Sequence, residues 1–389
     1  MEEEYSSTTE TTHHISKEPL EKSEEIVTVT VDSYKLEDGR MKKHAVYKIF
    51  GQDSSGTFEC NRRYKEFKML RSYFAMMWPG CYIPKLPKKK VVGNLDTDLI
   101  HKRKKLLDYF VGRVVSYGFL YKSEPFQLFI RGPADYIKGT INLKSPSFVE
   151  LQEKYKETFP EVSDFETNQK IDDDIASFYT TLEDCLRRVK GFKKVCKKSV
   201  LSFYRYEDSL TRLSEGVCQI THYFFPIKEK NNVDFIKKVT NAYKILLDWA
   251  RREILEIESL MDAIEKKLYL EQILGKYQAR LGEHQKGLEN FQSGKKSLMQ
   301  RLSKKTDEQK LKHLEGHVAD SEKELLALQV VIRIATGRLI HYQIPRFKEK
   351  ETEKLESTIR SYSGLVVEEF NDFITHFTNL QETITPTVI

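Results

Sequence analysis

Apolar residues from Asp164 to the end of the sequence recur at steps of three and four, and the pattern continues for much longer than an ordinary globular helix. This spacing places apolar side chains on one face of an α-helix. The pattern is interrupted near Pro226 and at the stretch SKKTDEQ, where Thr306 and Gln309 have the spacing of a capping box. It predicts three helices of roughly 60 to 75 residues, each about 90 to 110 Å long.

Helices of this length do not fit inside a compact globule, so we expect them to pack as an antiparallel three-helix coiled coil. Two positions are natural places for a bend. The apolar register slips by one residue near Gly275, and Pro345 lacks the backbone N–H that a helix uses.

The preceding part of the sequence has a different pattern. The segments IVTVTV, HAVYKIFG and GTFECNRRY are separated by short glycine-containing turns and predict an antiparallel meander of three strands. A helical register then runs from Tyr64 to Met77, Pro79 ends it, and the extended, proline-braced loop PGCYIPKLPKKKVVGN follows. Further helices are predicted from about Asp98 to Val115 and at SEPFQLFIRG. This segment is therefore predicted to be a small α+β module.

The composition limits the kinds of site and partner. A net charge of +6 permits an anionic partner without proving one. Five scattered cysteines without a CxxC pair indicate reduced cytosolic thiols and no zinc site. Residues 1–23 are acidic and Ser/Thr-rich, so we expect a disordered tail and no signal peptide. No run of about eighteen consecutive apolar residues occurs, so any membrane contact is expected to be peripheral.

We assign the α+β module to residues 24–137, a linker to 138–162 and the long helices to 163–389. The linker contains a short helical stripe of apolar residues, namely Phe148, Leu151, Tyr155 and Phe159. Two interpretations are equally supported. The stripe inserts in a bilayer, or it packs on the α+β module.

The end of the third predicted strand carries a candidate binding site. Arg63 offers a planar fork of donors for phosphate oxygens, and Tyr64 offers a flat ring face. Arg103, on a later helix, is placed to close the site. Additional contacts are predicted for Arg62, Lys88, Lys89, Lys90, Val91 and Val92. This set of residues fits a phosphoinositide headgroup: the cations would bind the phosphates, the tyrosine ring would pack on the inositol, and the valines would contact the bilayer. Either RRY or KKK alone is more often a solvated surface.

The order of these motifs resembles a phox-homology (PX) domain over about residues 24–137. RRYKEF, IPKLPKKK and HKRKKLLDYF occur together at the spacing of that family. The resemblance implies that Arg63 holds the 3-phosphate, Tyr64 packs on the inositol ring, Lys89 binds the 1-phosphate and Arg103 binds the 4- and 5-hydroxyls.

A PX-like module followed by three long helices resembles the PX-BAR sorting nexins. The resemblance implies a crescent-shaped homodimer or heterodimer with another BAR-containing sorting nexin. It also implies peripheral binding to endosomal membranes that contain phosphatidylinositol 3-phosphate, with curvature sensing or induction during vesicle and tubule sorting. Retromer-type coat subunits are further candidate partners.

Two basic clusters are candidates for the membrane face of the BAR domain. The first, the α-cluster, comprises Arg187, Arg188, Lys190, Lys193, Lys194, Lys197 and Lys198. The second, the tip cluster, comprises Lys295, Lys296, Arg301, Lys304 and Lys305. For any single lysine a solvated helix face is at least as well supported, because attraction to a membrane of about 1 kcal/mol per basic residue matters only when many act together.

Other classes of protein explain less of the sequence. A coiled-coil scaffold or cytoskeletal linker accounts for the long helices alone. No enzyme motif such as GxxxxGK[ST], HExxH or GxSxG occurs, and we expect no catalytic residue, cofactor or metal. HLEGH places His313 and His317 one turn apart without the required glutamate, which predicts a surface pair. Acidic residues interleave with the basic ones, so nucleic acid is not an expected partner.

Overall fold

The computed structural model describes residues 27–38, 43–88, 96–133, 144–224, 241–295 and 306–384. The chain divides into two compact units. We call Met1–Leu70 with Lys89–Ile141 the sheet unit, and Arg71–Lys88 with Asn142–Ile389 the helical unit. The predicted order of an α+β module followed by long helices is confirmed. However, residues 71–88, which the sequence assigned to the α+β module, pack in the helical unit.

The sheet unit contains the predicted meander. Strands β1 (Thr28–Glu37), β2 (His44–Asp53) and β3 (Gly56–Arg63) form one antiparallel sheet in the order β1-β2-β3. Gly56 has a φ of 107°, in the left-handed region that glycine adopts without a steric cost, and it closes the tight turn between β2 and β3. The turn therefore fixes the register that ends β3 at Arg63.

Helices follow the sheet in the chain. They are α1 (Tyr64–Met77), α2 (Thr97–Val115), α3 (Gly118–Tyr121) and α4 (Glu124–Arg131). Side chains of β2, α1, α2 and α4 form an aromatic core in the sheet unit. The Phe67 ring lies 4.9 Å from that of Phe129 and 6.2 Å from that of Tyr47, centroid to centroid. This core fixes the start of α1 against the sheet.

The bulge in β1 is held by α2. The pairing register of β1 with β2 shifts between Val31 and Ser33. There the Asp108 carboxylate of α2 accepts hydrogen bonds from the Val31 N–H and the Thr30 hydroxyl, both at 2.8 Å. The carboxylate thus accepts from a backbone donor of β1 beside the bulge.

The helical unit is dominated by three long helical runs, as predicted, although the second has 50 residues and is shorter than expected. They are α6 (Gln169–Phe224), α7 (Tyr243–Gln292) and a third run made of α8 (Asp307–Arg338), a π-helical turn (Leu339–Gln343) and α9 (Ile344–Ile384). Helix α7 packs against α6, α8 and α9, so it is the central helix of the bundle. It continues through Gly275 as one helix.

The predicted start of the third run is confirmed, and an irregular turn lies close to Pro345. The Thr306 hydroxyl accepts a hydrogen bond from the Gln309 N–H and the Gln309 side chain accepts one from the Thr306 N–H, which completes the capping box. The π-helical turn ends at Gln343, two residues before Pro345. It is the kind of irregularity by which a helix accommodates a proline that lacks an N–H and crowds the preceding turn.

The apolar stripe of the linker is buried. Helix α5 (Phe148–Thr158) begins with a capping box at Ser147 and packs against α8. Leu151 and Tyr155 are buried, as is Phe159 directly after the helix. The stripe is therefore occupied by protein contacts within the helical unit and is not presented to a bilayer in this conformation.

The proline-braced loop explains why residues 71–88 belong to the helical unit. The Tyr82 N–H donates to the Gln343 side chain at 2.9 Å, and the Lys85 N–H donates to the Ser259 hydroxyl at 2.8 Å. Arg71 and Lys85 both pair with the Asp262 carboxylate, at 2.8 and 2.7 Å. Backbone donors of the loop are thus satisfied by side chains of the long helices.

Gly80 lets the same loop approach closely. Its φ of 88° suits glycine, and a Cβ added there would lie 3.0 Å from the Ala335 side chain of α8. A larger residue at this position would push the loop away from the helix.

One described helical run, Asp307–Thr375, contains a window apolar enough to cross a membrane by length and composition. In the structure 61% of that window is buried. We interpret the window as the core of the helical bundle.

Candidate functional site

The two arginines of the RRY motif have different environments because they are neighbours at the end of a strand. Successive side chains on a strand point to opposite faces. Arg62 is only 2% exposed, whereas Arg63 is exposed. The motif therefore contains one structural and one accessible guanidinium.

Arg62 binds backbone rather than solvent. Its Nε donates to the Phe129 carbonyl at 2.6 Å, and its Nη1 donates to the Asn61 carbonyl at 2.9 Å. Its Nη2 donates to the Gly132 carbonyl. Arg62 thus joins the end of β3 to the end of α4, and it is a structural residue rather than the additional headgroup contact that the sequence suggested.

Arg63 lies at the point where β3 ends and α1 begins. The Glu66 carboxylate accepts a hydrogen bond from the Arg63 N–H at 2.7 Å, which is one half of a capping box. Glu66 is itself buried. The backbone at Arg63 is thereby fixed at a helix N-terminus, where the helix dipole favours an anion, while the Arg63 side chain extends into solvent.

Tyr64 and Arg103 come together beside this position. The Arg103 guanidinium carbon lies 5.2 Å from the centroid of the Tyr64 ring, within the range of a cation–π contact. Arg103 is 9% exposed and occupies the buried face of α2. Burial raises the pKa of the Tyr47 phenol and the Arg103 guanidinium opposes that rise, so Arg103 also lies close to the sheet.

An acidic residue borders the site. Glu37, at the end of β1, is half-buried. Its pKa is lowered chiefly by a hydrogen bond with Lys35 and more weakly by the charges of His44 and Arg63. The charge of Arg63 therefore acts on the Glu37 carboxylate. Within the described part of the chain, the Arg63 side chain forms no ion pair.

The lysines and valines of the loop are only partly described. Lys88 is exposed and belongs to the helical unit. Lys89, Lys90, Val91 and Val92 lie outside the described residues. The structure thus brings together Arg63, Tyr64 and Arg103 of the predicted headgroup site, and the contribution of Lys89 stays a prediction.

The α-cluster lies on α6 and is partly neutralised. Arg187 and Arg188 both pair with the Asp184 carboxylate one turn earlier, and Lys190 lies 3.1 Å from the Glu258 carboxylate. Burial lowers the pKa of Lys193, and the charges of Lys190 and Arg251 lower it further. The freely exposed members of this cluster are Lys194, Lys197 and Lys198.

The tip cluster is represented by Lys295, which is exposed just after α7. Its other members, Lys296, Arg301, Lys304 and Lys305, lie outside the described residues.

Sequence reasoning missed two residues that support the site. Glu66 fixes the backbone of Arg63. A glutamate three residues after the residue that precedes a helix is the sequence signal of a capping box. Tyr47 lies directly opposite Arg62 in the sheet and close to Arg103. Only the alternation of apolar and polar residues along β2 could have indicated that the Tyr47 side chain faces the interior.

The part of the chain that holds Arg63, Tyr64 and Arg103 matches a known family. Residues 51–132 match the PX domain family. The chain is 33% identical to human Sorting nexin-4 over 89 residues, which cover 21% of this chain and 20% of that protein. It is 30% identical over 95 residues to Vacuolar protein sorting-associated protein vps5 of Schizosaccharomyces pombe, covering 23% of this chain and 16% of that protein. These matches span about a fifth of the relatives' own lengths or less.

Among solved structures, the SNX-BAR Mvp1 tetramer aligns with 91% of this chain and 99% of that chain, at 16% identity and a TM-score of 0.42. The resemblance to the PX-BAR sorting nexins is confirmed by the PX domain match and by the sorting nexin relatives. The chain contains a PX domain and is similar to the sorting nexins.

Proposed function

We propose that this protein is a peripheral membrane adaptor that binds phosphatidylinositol 3-phosphate through Arg63, Tyr64 and Arg103. The observation that carries the proposal is the placement of an accessible arginine at a helix N-terminus, directly beside a tyrosine ring that is backed by a second arginine. The Arg63 fork can grip two oxygens of the 3-phosphate. The Tyr64 ring provides a face for the inositol, and Arg103 provides donors beside it.

The distribution of donors fits a small, ring-shaped polyanion. A nucleic-acid strand needs a continuous basic stripe, whereas here the basic residues lie around one strand end with an acidic residue, Glu37, at the border. Lys89, from the adjacent loop, is proposed to bind the 1-phosphate. We propose an adaptor rather than an enzyme because Arg63 and Arg103 offer phosphate donors and Tyr64 offers a ring face, which suit binding.

Flotation of the full chain with vesicles tests the site. Vesicles with phosphatidylinositol 3-phosphate should bind Arg63→Ala about 30-fold or more weaker than wild type, corresponding to about 2 kcal/mol or more for a lost bidentate contact. Lys68→Ala is the matched control, because Lys68 is an exposed cation on α1, five residues after Arg63. Equal flotation of Arg63→Ala and wild type would refute the site.

The long helices support assembly into a dimer. Several large apolar side chains of α6 and α9 are exposed in the single chain and recur at helical spacing. They include Tyr206, Leu213, Ile220, Val367, Phe370 and Ile374. Covering such a stripe with a second helical unit would remove it from water. We propose a homodimer or a heterodimer with another BAR-containing sorting nexin, which would present two headgroup sites to one membrane and raise avidity.

Sedimentation of the full chain tests assembly. Phe370→Lys combined with Ile374→Lys should shift a wild-type dimer toward monomer. Leu326→Lys is the control, since Leu326 is similarly exposed on α8 but lies outside the stripe. A wild type that stays monomeric at micromolar concentration, alone and with BAR-containing partner chains, would contradict the dimer.

Together the two features suit sorting on curved endosomal membranes. The headgroup site would select the lipid, and the α-cluster and tip cluster would add attraction that grows when the membrane follows the protein surface. Retromer-type coat subunits are candidate partners in that process.

A further inference from the structure

A cleft opens in the helical unit between helices α1 and α7, with a volume of about 370 Å³. Pockets that bind ligands in proteins have volumes of about 300 Å³ upwards. The residues of both walls recur at helical spacing. They are Arg71, Ala75 and Trp78 on the first wall and Asp262, Lys266 and Tyr269 on the second. The proposed headgroup site uses none of these residues, so the cleft is a separate candidate site.

The walls of the cleft are joined by ion pairs and kept apart by short side chains. The Asp262 carboxylate of α7 lies 2.8 Å from the Arg71 guanidinium and 2.7 Å from the Lys85 ammonium. Ala75 and Ala263 also line the cleft, and their small side chains leave the space between the helices open. The cleft is therefore formed before a ligand binds, which lowers the free-energy cost of binding.

Two aromatic residues of the lining differ in exposure. Trp78 is 3% exposed, whereas Tyr269 is 47% exposed. A lysine ammonium lies over each ring, with Lys154 at 4.3 Å from the Trp78 centroid and Lys266 at 4.4 Å from the Tyr269 centroid. Tryptophan, tyrosine and arginine are the residue types that carry most of the binding energy at protein interfaces. The lining therefore suits a large apolar side chain of a protein partner.

Lys266 offers the available charge at the cleft. The Asp262 carboxylate is already shared by two cations, and the Glu265 carboxylate accepts a hydrogen bond from the Tyr179 hydroxyl at 2.7 Å. Lys266 is exposed and forms no ion pair with any residue that the structure describes. An ammonium in this position binds a carboxylate best, because a hydrogen bond between two charged groups is the strongest kind.

We propose that this cleft binds a short acidic peptide segment of a partner protein. An aromatic or large aliphatic side chain of the segment would enter between Trp78 and Tyr269, and a neighbouring carboxylate would pair with Lys266. The assignment of the partner to cargo or coat proteins rests on the proposed adaptor function. The cleft itself is independent of the headgroup site and of lipid.

Fluorescence titration of the full chain tests the cleft. The chain contains two tryptophans, Trp78 and Trp249, so the variant Trp249→Phe reports from the cleft alone. The probes are acetylated pentapeptide amides in which a phenylalanine or a leucine is flanked by two glutamates. At least one of them should change the Trp78 emission saturably, with one equivalent per chain. Matched peptides with lysines for the glutamates, or with alanine for the apolar residue, should bind about tenfold or more weakly.

Paired substitutions on α7 separate the cleft from the rest of the helix surface. Tyr269→Ala and Lys266→Glu should each weaken peptide binding about tenfold or more. Leu268→Ala is the control for the first, because Leu268 is 43% exposed and is not part of the lining. Lys276→Glu is the control for the second, because Lys276 is an exposed lysine further along the helix. Both controls should bind the peptide as the parent chain does.

The outcomes also distinguish this site from the headgroup site. Arg63→Ala should bind the peptide normally, and Tyr269→Ala should float normally with vesicles that contain phosphatidylinositol 3-phosphate. The proposal is overturned if no acidic peptide binds saturably or if the lysine peptides bind equally well. Undiminished binding by Tyr269→Ala and Lys266→Glu would overturn it as well. Failure of the flotation experiment alone would count against the headgroup site and would leave the peptide result unaffected.

Discussion

The sheet unit and the helical unit both contain many basic residues, but they hold them in different ways. In the sheet unit Arg62 is fixed by backbone carbonyls and Arg103 is stacked beside Tyr64. In the helical unit Arg187 and Arg188 share one surface carboxylate, and Lys197 is exposed. Fixed guanidinium groups suit recognition by geometry, whereas mobile surface cations supply only summed charge. Single substitutions should therefore have large effects in the first region and small ones in the second.

The largest expected effect is on the stability of the sheet unit. Arg62→Met should destabilise it by about 3 kcal/mol or more, because one buried and several part-buried carbonyls lose their donor. Protection of β3 and α4 amides from hydrogen exchange in the full chain measures this. Arg63→Met is the matched control and should cost less than about 0.5 kcal/mol, since its side chain is exposed. Equal losses for the two arginines would mean that their environments do not differ.

A smaller effect is expected from a buried acid of the helical unit. Burial, reinforced by the neighbouring Glu351 carboxyl, raises the pKa of Glu253 to about 10. The folded chain thus keeps a proton that the unfolded chain releases near pH 4.5. Stability should therefore fall as the pH rises from that value toward 10.

Glu253→Gln removes this penalty. It should stabilise the helical unit at pH 8 by about 1 kcal/mol or more and flatten the dependence of stability on pH. Urea unfolding at pH 6 and pH 8 measures both changes, with the exposed Glu322→Gln as the control. A variant with the wild-type pH dependence would show that Glu253 is ionised in the folded chain.

The smallest effect is expected for one lysine of the α-cluster. Lys197→Ala should weaken binding to phosphatidylserine vesicles by at most about 1 kcal/mol at low salt. Near physiological ionic strength the Debye length is about 8 Å, so the difference should nearly vanish. A loss that persists at high salt would indicate that Lys197 makes a fixed contact and would remove the contrast between the two units.

Local signals explain how much of the fold was predictable. The alternation and turns of GTFECNRRY predicted β3, and the Thr306 to Gln309 spacing predicted the start of α8, because each depends on residues a few positions apart. The docking of residues 71–88 was not predictable. It depends on pairs such as Tyr82 with Gln343, which are 261 residues apart and leave no local pattern.

The site was predictable to a similar degree. Arg63, Tyr64 and Arg103 were found from motif order, and the structure brings Tyr64 and Arg103 into contact. The role of Arg62 was missed because a motif records the residue type but not the face of the strand.

Titration of the full chain with soluble inositol 1,3-bisphosphate, followed by calorimetry, most directly tests whether the sheet unit recognises a headgroup by geometry. The ligand has no bilayer, so surface charge of the long helices cannot substitute for the site. Wild type and the variant Lys194→Glu, Lys197→Glu and Lys198→Glu should each bind one equivalent per chain with the same affinity, and Arg63→Ala should bind about 30-fold or more weakly. Unchanged binding by Arg63→Ala, or loss of binding in the lysine variant, would contradict the account.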